Sequence, residues 1–245
     1  MEIIINDLMG YEGLKIYQNP EMFNFSIDSI LLANFVTINK KAKSIIDLCS
    51  GNCPIPLYLT LKTNLNITAV EIQKESYELG LKSIIYNKLE NQINLLNDNL
   101  INISKKLNQK FDIVTCNPPY FKYTDKSNIN KNDYLSIARH EILVNLEDII
   151  KESYNLLNDK GYLTLVYTPE RLIELILLLK KYKFEPKRLR FIYPKKNKEC
   201  NHILIESIKN GNEGKLKILQ PLYLYNTNNK WSSETKKIYN FRKVK

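Results

Sequence analysis

The residues best suited to chemistry are Asn117, Pro118, Pro119 and Tyr120, which follow directly on the run Phe111-Asp112-Ile113-Val114-Thr115-Cys116. That run is apolar and β-branched and reads as a buried strand. The prolines must end it because they lack the ladder donor. The tetrapeptide therefore stands at the carboxyl end of a strand, the edge at which open α/β sheets bind ligands. The chemistry it suits is transfer of a methyl group to the exocyclic amine of a planar base or amide. Such an amine is a poor nucleophile because its lone pair is delocalised. Two acceptors on its two hydrogens would hold the nitrogen towards the incoming carbon. The Asn117 side-chain carbonyl and the Pro118 backbone carbonyl are of the right type, and the fixed φ of proline holds them in place before substrate arrives. Tyr120 would lie against the π system of the acceptor. No strong base is required, since the proton can leave after the nitrogen has become cationic. The same four residues also make an ordinary Asx-Pro turn, so the context upstream has to decide.

Upstream, Asp47-Leu48-Cys49-Ser50-Gly51-Asn52-Cys53-Pro54-Ile55 follows a first apolar run and opens a helix. Glycine in such a loop lets backbone approach a ligand at the switch point of the sheet. Of the three small positions in D-x-G-x-G-x-G only Gly51 is glycine, while Cys49 and Cys53 occupy the outer two, which speaks against a pyrophosphate cradle. Asp47 would anchor the amino-acid end of a nucleoside cofactor. Glu71, ending the next apolar run, would accept from both ribose hydroxyls, and Asp98, ending the third, from the adenine amine. Each acid alone is as readily a helix cap or a solvated loop charge. Three acidic strand ends in chain order, with N-P-P-Y on the fourth, are hard to ascribe to coincidence.

The elements that must position these residues alternate from residue 43 onward. Strands are predicted over 44–48, 67–72, 93–96, 111–116 and 161–167, with helices over 54–62, 73–88, 99–107, 144–157 and 170–180. This alternation implies right-handed crossovers and an α/β fold, a mostly parallel sheet with helices on both faces. Strands over 187–193 and 201–208 are joined by too short a segment for a crossover helix and should pair antiparallel at the end of the sheet. Before the alternation, residues 11–22 read as a hairpin-like or irregular segment. Residues 29–36 read as an amphipathic helix capped by Ser26 or Asp28.

With these residues in hand, the chain resembles the class I S-adenosylmethionine-dependent methyltransferases of the N-P-P-[YF] type. More closely, it is similar to the tRNA1(Val) adenine-37 N6-methyltransferase family. The closer likeness is carried by F-N-F-S-I-D-S-I-L-L-A-N-F at 23–35, D-L-C-S-G-N-C-P-I-P at 47–56, residues 113–120, Ala138-Arg139-His140-Glu141 and Pro221-Leu222-Tyr223-Leu224-Tyr225. The resemblance implies a Rossmann-like, seven-stranded fold in one domain over 1–245: a cap over 1–42, a core over 43–208 and an extension over 209–245. It implies S-adenosyl-L-methionine as cofactor, held by Asp47, Cys49, Gly51, Glu71, Ile72, Asp98, Asn99 and Asn117, with Phe25, Ser26 and Asp28 closing the methionine side. The implied reaction is N6-methylation of an adenine in a tRNA anticodon loop, adenine 37 of a valine tRNA being the family's target. The same tetrapeptide also serves glutamine N5-methylation of release factors. DNA adenine methylation is disfavoured for want of a separate target-recognition domain, and a non-catalytic RNA-binding module with a decayed cofactor loop is the remaining alternative.

Composition agrees with a nucleic-acid partner. The chain has 245 residues and a formal net charge of +10, although a wealth of Lys, Asn, Ile and Tyr also reflects A/T-rich codons. Lys187, Arg188, Arg190, Lys195, Lys196 and Lys198, interleaved with Phe191 and Tyr193, suit backbone contacts and base stacking. Lys122 and Arg139 flank a polar stretch after Tyr120 that reads as a substrate lid. Cys49, Cys53, Cys200 and His202 have no convincing zinc spacing, and no metal is expected. Four cysteines without a framework suit reduced thiols. Neither a secretory signal nor a run long enough to span a bilayer is visible, so a cytoplasmic monomer is expected.

Overall fold

Alternate side chains of Ser44–Leu48 enter opposite faces of one sheet. Ile45 joins the core on one face and Ile46 and Leu48 the core on the other, which leaves Asp47 on the first face, fully buried. Burial on both faces is what a parallel strand covered by helices requires, and it is why these runs are almost continuously apolar. The structure, a computed structural model, describes residues 3–8, 11–22, 26–120 and 144–239.

A hairpin of β1 (Ile4–Leu8) and β2 (Tyr11–Gln18) precedes α1 (Ile27–Phe35). Then follow β3 (Ser44–Leu48), α2 (Pro54–Thr60), β4 (Asn66–Glu71), α3 (Lys74–Tyr86), β5 (Ile93–Asn97), α4 (Ile103–Leu107) and β6 (Phe111–Cys116). After these come α5 (Leu146–Leu156), β7 (Leu157–Tyr167), α6 (Leu172–Lys181), β8 (Phe184–Tyr193) and β9 (His202–Lys209). Two short strands, β10 (Lys217–Ile218) and β11 (Leu222–Tyr223), and α7 (Ser233–Tyr239) end the described chain. The sheet has nine strands in the order β10-β8-β9-β7-β6-β3-β4-β5, with β11 also on β8. β5, β4, β3, β6 and β7 are mutually parallel, and helices cover both faces. This is the α/β architecture expected.

One detail differs from the expectation: seven strands become nine, because two-residue strands of the C-terminal segment add to the outer edge of β8. The two strands expected to pair antiparallel at the end of the sheet do so as β8 and β9, with β9 inserted between β7 and β8, antiparallel to both. There its Ile203, Leu204 and Ile205 are buried. The hairpin stands apart from the main sheet and docks on α3. The Tyr17 N–H donates to Ser83 Oγ (2.9 Å) and the Lys15 N–H to Asn87 Oδ1 (2.8 Å), so α3 side chains satisfy a strand that would otherwise present bare backbone.

The inner ends of α1 and β8 are tied by ions. Glu206 on β9 is buried, and its carboxylate accepts from the Thr37 N–H (2.8 Å), the Thr37 hydroxyl (2.7 Å) and Arg188 Nη1 (2.9 Å). Arg188 also donates to the Phe35 carbonyl (3.1 Å) and lies over the Phe35 ring at 4.2 Å. This corrects the expectation that Arg188 faces RNA, because its guanidinium is spent on a buried carboxylate. Arg190 is likewise committed, to the Gln220 carbonyl (3.0 Å) and Glu234 (2.6 Å). Lys187 donates to the Gly214 carbonyl (2.6 Å) and sits near the start of β8, about 20 Å of strand from the edge carrying N-P-P-Y. Arg188→Ala should cost about 2–3 kcal/mol in chemical denaturation, since it strands a buried carboxylate that keeps other donors. Affinity for RNA, measured on the folded variant, should stay within about twofold.

Candidate active site

The loop after β3 is built on left-handed backbone. Cys49, Gly51 and Cys53 have φ of 56°, 54° and 69°, so all three small positions hold the conformation glycine favours, two of them with a side chain. At Gly51 an added Cβ would meet nothing within 4 Å, so φ alone demands glycine there. The Cys53 side chain is buried against α3, where an added Cβ on Gly80 would come within 3.2 Å of its sulfur and 2.9 Å of Leu95. The departure from the glycine pattern thus leaves the loop's path intact.

Asp47 lies beneath this loop. Its Oδ1 accepts from the Thr115 hydroxyl across the β3–β6 register pair, while Oδ2 is buried with no hydrogen-bond partner. Burial, aided by the charge of Glu71 and opposed by the hydroxyls of Thr115 and Ser50, pushes its carboxyl up to about 7. A buried carboxylate oxygen without a donor is costly and calls for a cationic donor. The ammonium of S-adenosylmethionine's amino-acid end is a donor of that kind. Glu71, ending β4, accepts from the Gly51 N–H (2.7 Å) and the Gln73 N–H (2.8 Å). Burial raises its carboxyl, and these backbone donors pull it back. Each oxygen keeps a second lone pair, enough for two vicinal hydroxyls.

Beyond β5, Asp98 accepts from Lys106 (2.5 Å) and the Asn99 N–H (2.7 Å), and the lysine holds its carboxyl below the usual range. Cys49, Val70, Ile72, Asp98, Asn99 and Leu100 line one small cleft of apolar walls with an acid at its rim. Four residues named from the sequence, Cys49, Ile72, Asp98 and Asn99, thus meet in one place.

Asn117 leaves β6 beside β3, where Cys116 pairs with Leu48, and Pro118 and Pro119 are buried. The Tyr120 hydroxyl donates to Asn117 Oδ1. The Tyr120 ring packs edge-on to Tyr167 and tilted on His202, both at 5.8 Å, and Arg171 Nη1 donates to its carbonyl (3.2 Å). Burial first, then the charge of Asp28, drives its phenol well above the ordinary range. Asp28 is itself buried on α1, where Ser26 caps the helix and donates to Asp28 Oδ2 (2.6 Å), and His202 Nε2 stands 3.4 Å from that oxygen. Ser26 and Asp28 therefore stand on the Tyr120 side of Asn117 and do not line the cleft beside Asp98. Thr115, His202, Arg171 and Tyr167 were missed from sequence. Only Thr115 had a signal, as the residue in register with Asp47 on the neighbouring strand.

Phe25, Lys122 and Arg139, and with them the expected lid, lie outside the described residues. Lys195, Lys196 and Lys198 form the turn after β8 at the edge carrying N-P-P-Y, next to the Tyr193–Tyr223 ring pair at 5.5 Å. Among the described residues no three His, Cys, Asp or Glu side chains are grouped to hold a metal ion, and no helix is long and apolar enough to cross a membrane.

Known proteins resemble this chain in sequence and fold. The family model described as the methyltransferase small domain matches residues 14–183. The tRNA1(Val) (adenine(37)-N6)-methyltransferase of Flavobacterium psychrophilum is 22% identical over 180 residues, 73% of this chain and 76% of that one. The protein of the same name from Histophilus somni is 24% identical over 240 residues, 92% of each. A solved structure described as a predicted O-methyltransferase of Agrobacterium tumefaciens has a TM-score of 0.67 at 20% identity, covering 89% of this chain and 98% of that one, a likeness of fold. The methyl donor is S-adenosylmethionine. Since the family match spans well over half of the chain, the protein belongs to the methyltransferase small domain family.

Proposed function

We propose that the protein methylates the exocyclic N6 amine of an adenine in a tRNA anticodon loop, with adenine 37 of a valine tRNA as the first acceptor to test. The reading rests on one observation above all: the amide of Asn117 and the carbonyl of Pro118 stand at the carboxyl end of β6, one strand from the orphaned carboxylate of Asp47. The activity for which the relatives are named agrees with it.

When bound, S-adenosylmethionine supplies an electrophilic methyl carbon. Asp47 would hold its ammonium, Glu71 its ribose hydroxyls and Asp98 its adenine. Asn117 Oδ1 and the Pro118 carbonyl accept the two hydrogens of the target amine, which turns the nitrogen lone pair towards the methyl carbon and out of conjugation with the purine. Tyr120 supports the ring, and the lost proton passes to solvent. Lys195, Lys196 and Lys198 contact phosphates, and Tyr193 and Tyr223 offer faces on which unpaired bases stack. A base in an anticodon loop is already largely free of its stack, so presenting it costs little. A cytosolic setting follows from such a substrate.

Tritiated S-adenosylmethionine should label an unmodified valine tRNA transcript, and nucleoside mass spectrometry should find N6-methyladenosine. Labelling of a release factor in place of tRNA would transfer the reading to glutamine N5.

A further inference from the structure

Methyl transfer needs the amine nitrogen held to within a fraction of an ångström, and the tetrapeptide that grips it has few backbone donors of its own. Pro118 and Pro119 carry no N–H, so after Asn117 the segment is tied down only through its carbonyls and the Tyr120 N–H. Within it, the Tyr120 hydroxyl donates to Asn117 Oδ1, so whatever fixes Tyr120 also fixes the Asn117 amide. That oxygen keeps a second lone pair for the amine. Outside it, β7 ends beside β6, with Leu165 in register with Cys116, and a single helical turn, Pro169–Arg171, then brings Arg171 to the same edge.

Arg171 makes three contacts there. Nη1 donates to the Tyr120 carbonyl (3.2 Å), Nε and Nη2 donate to the Glu174 carboxylate (3.1 and 2.9 Å), and the guanidinium lies over the Tyr167 ring at 5.2 Å. The arginine side chain is only 12% exposed. Tyr167 is fully buried and meets the Tyr120 ring edge-on at 5.8 Å, so one ring supports both residues. Glu174 stands in the first turn of α6, where a carboxylate also suits the helix N-terminus. Its pairing bears on the chemistry, because the target nitrogen becomes cationic as the methyl group arrives and a bare guanidinium nearby would oppose that. The two-pronged carboxylate leaves the group that holds Tyr120 nearly neutral overall.

We propose that Arg171 is a positioning residue for methyl transfer. It holds the Tyr120 carbonyl, and through the Tyr120 hydroxyl the Asn117 amide, in the attitude that grips the amine, while Glu174 cancels its charge. With Nε, Nη1 and Nη2 all engaged inside the fold, its guanidinium faces the protein and not an RNA phosphate. This rests on the reading of N-P-P-Y as the acceptor's grip.

In Arg171→Ala, single-turnover transfer to valine tRNA transcript at saturating donor and tRNA should fall about 30–100-fold, the scale of a displacement of about 1 Å at the reacting atoms. KM for tRNA and affinity for S-adenosylhomocysteine should stay within about threefold. In a Tyr120→Phe background, where no hydroxyl passes the constraint on to Asn117, the further cost of Arg171→Ala should shrink to about threefold or less. Costs that multiply independently would overturn the proposal, and so would a raised KM for tRNA at an unchanged rate, which would make Arg171 a phosphate contact. A second measurement needs no acceptor. In protein labelled with 3-fluorotyrosine, the Tyr120 fluorine resonance, assigned by its loss in Tyr120→Phe, should shift in Arg171→Ala and move back with added ethylguanidinium but not ethylammonium, since only the planar fork reaches Glu174 and the Tyr120 carbonyl together. An unmoved resonance would also overturn it. If the unaltered protein methylates no tRNA while the resonance responds in this way, the substrate reading fails and the positioning of Tyr120 by Arg171 stands.

Discussion

Asn117→Ala should lower turnover with tRNA by about three orders of magnitude, the scale on which a single preorganised polar group acts on developing charge. The variant loses the side-chain amide of the N-P-P-Y edge and keeps the Pro118 carbonyl, so one amine hydrogen loses its acceptor. S-adenosylhomocysteine should still bind within about fivefold, because Asp47, Glu71 and the cleft beside Asp98 are untouched. Single-turnover kinetics with saturating donor separates the two effects. Retention of more than a tenth of the original rate would remove Asn117 from the chemistry.

Asp47→Asn should act in opposite directions on stability and on donor binding. In the folded protein the carboxyl sits at about 7, and unfolded it returns to about 3.9. Between these values the folded state keeps a proton that the unfolded state releases. Stability therefore declines as pH rises from about 4 to about 7, by up to about 4 kcal/mol in all, and is level above that. The asparagine variant keeps the Thr115 hydrogen bond and has no charge to bury, so its denaturation midpoint should lose this slope and exceed the parent's at pH 8. Donor binding runs the other way, since the ammonium needs the ionised form. Affinity for S-adenosylhomocysteine should rise about tenfold per unit up to pH 7 and then level, and Asp47→Asn should weaken it about 100-fold at pH 8. Calorimetry giving the variant an affinity within threefold of the parent's would contradict the assignment.

Much of this site is legible in the chain because its chemistry sits where strands stop. A parallel strand buried on both faces is a bounded apolar run, so an acid or an Asn-Pro at its end announces both the boundary and the ligand edge. The strand-end positions of Asp47, Glu71, Asp98 and Asn117 are each legible that way. Contacts between distant segments follow another logic. Whether Arg188 meets solvent or an anion depends on its register with Glu206 across β8 and β9, and nothing near residue 188 encodes that register. The same holds for Asp28 and His202, brought together only when β9 starts beside Tyr120. β1 was not seen because its exposed polar residues lack a buried face, and the start of β7 because exposed Asn158, Asp159 and Lys160 read as a loop.

The insertion of β9 between β7 and β8 has a consequence for synthesis on the ribosome. β7 emerges with an open hydrogen-bonding edge and the apolar side chains Leu163, Leu165 and Val166, and its permanent neighbour arrives only some forty residues later. A nascent chain halted near residue 183 would hold every acid of the donor site and the N-P-P-Y edge, yet carry a bare, sticky strand at the edge of its sheet. Truncated versions that keep the methyl-donor machinery should therefore clump in the cell unless the last quarter of the polypeptide is supplied.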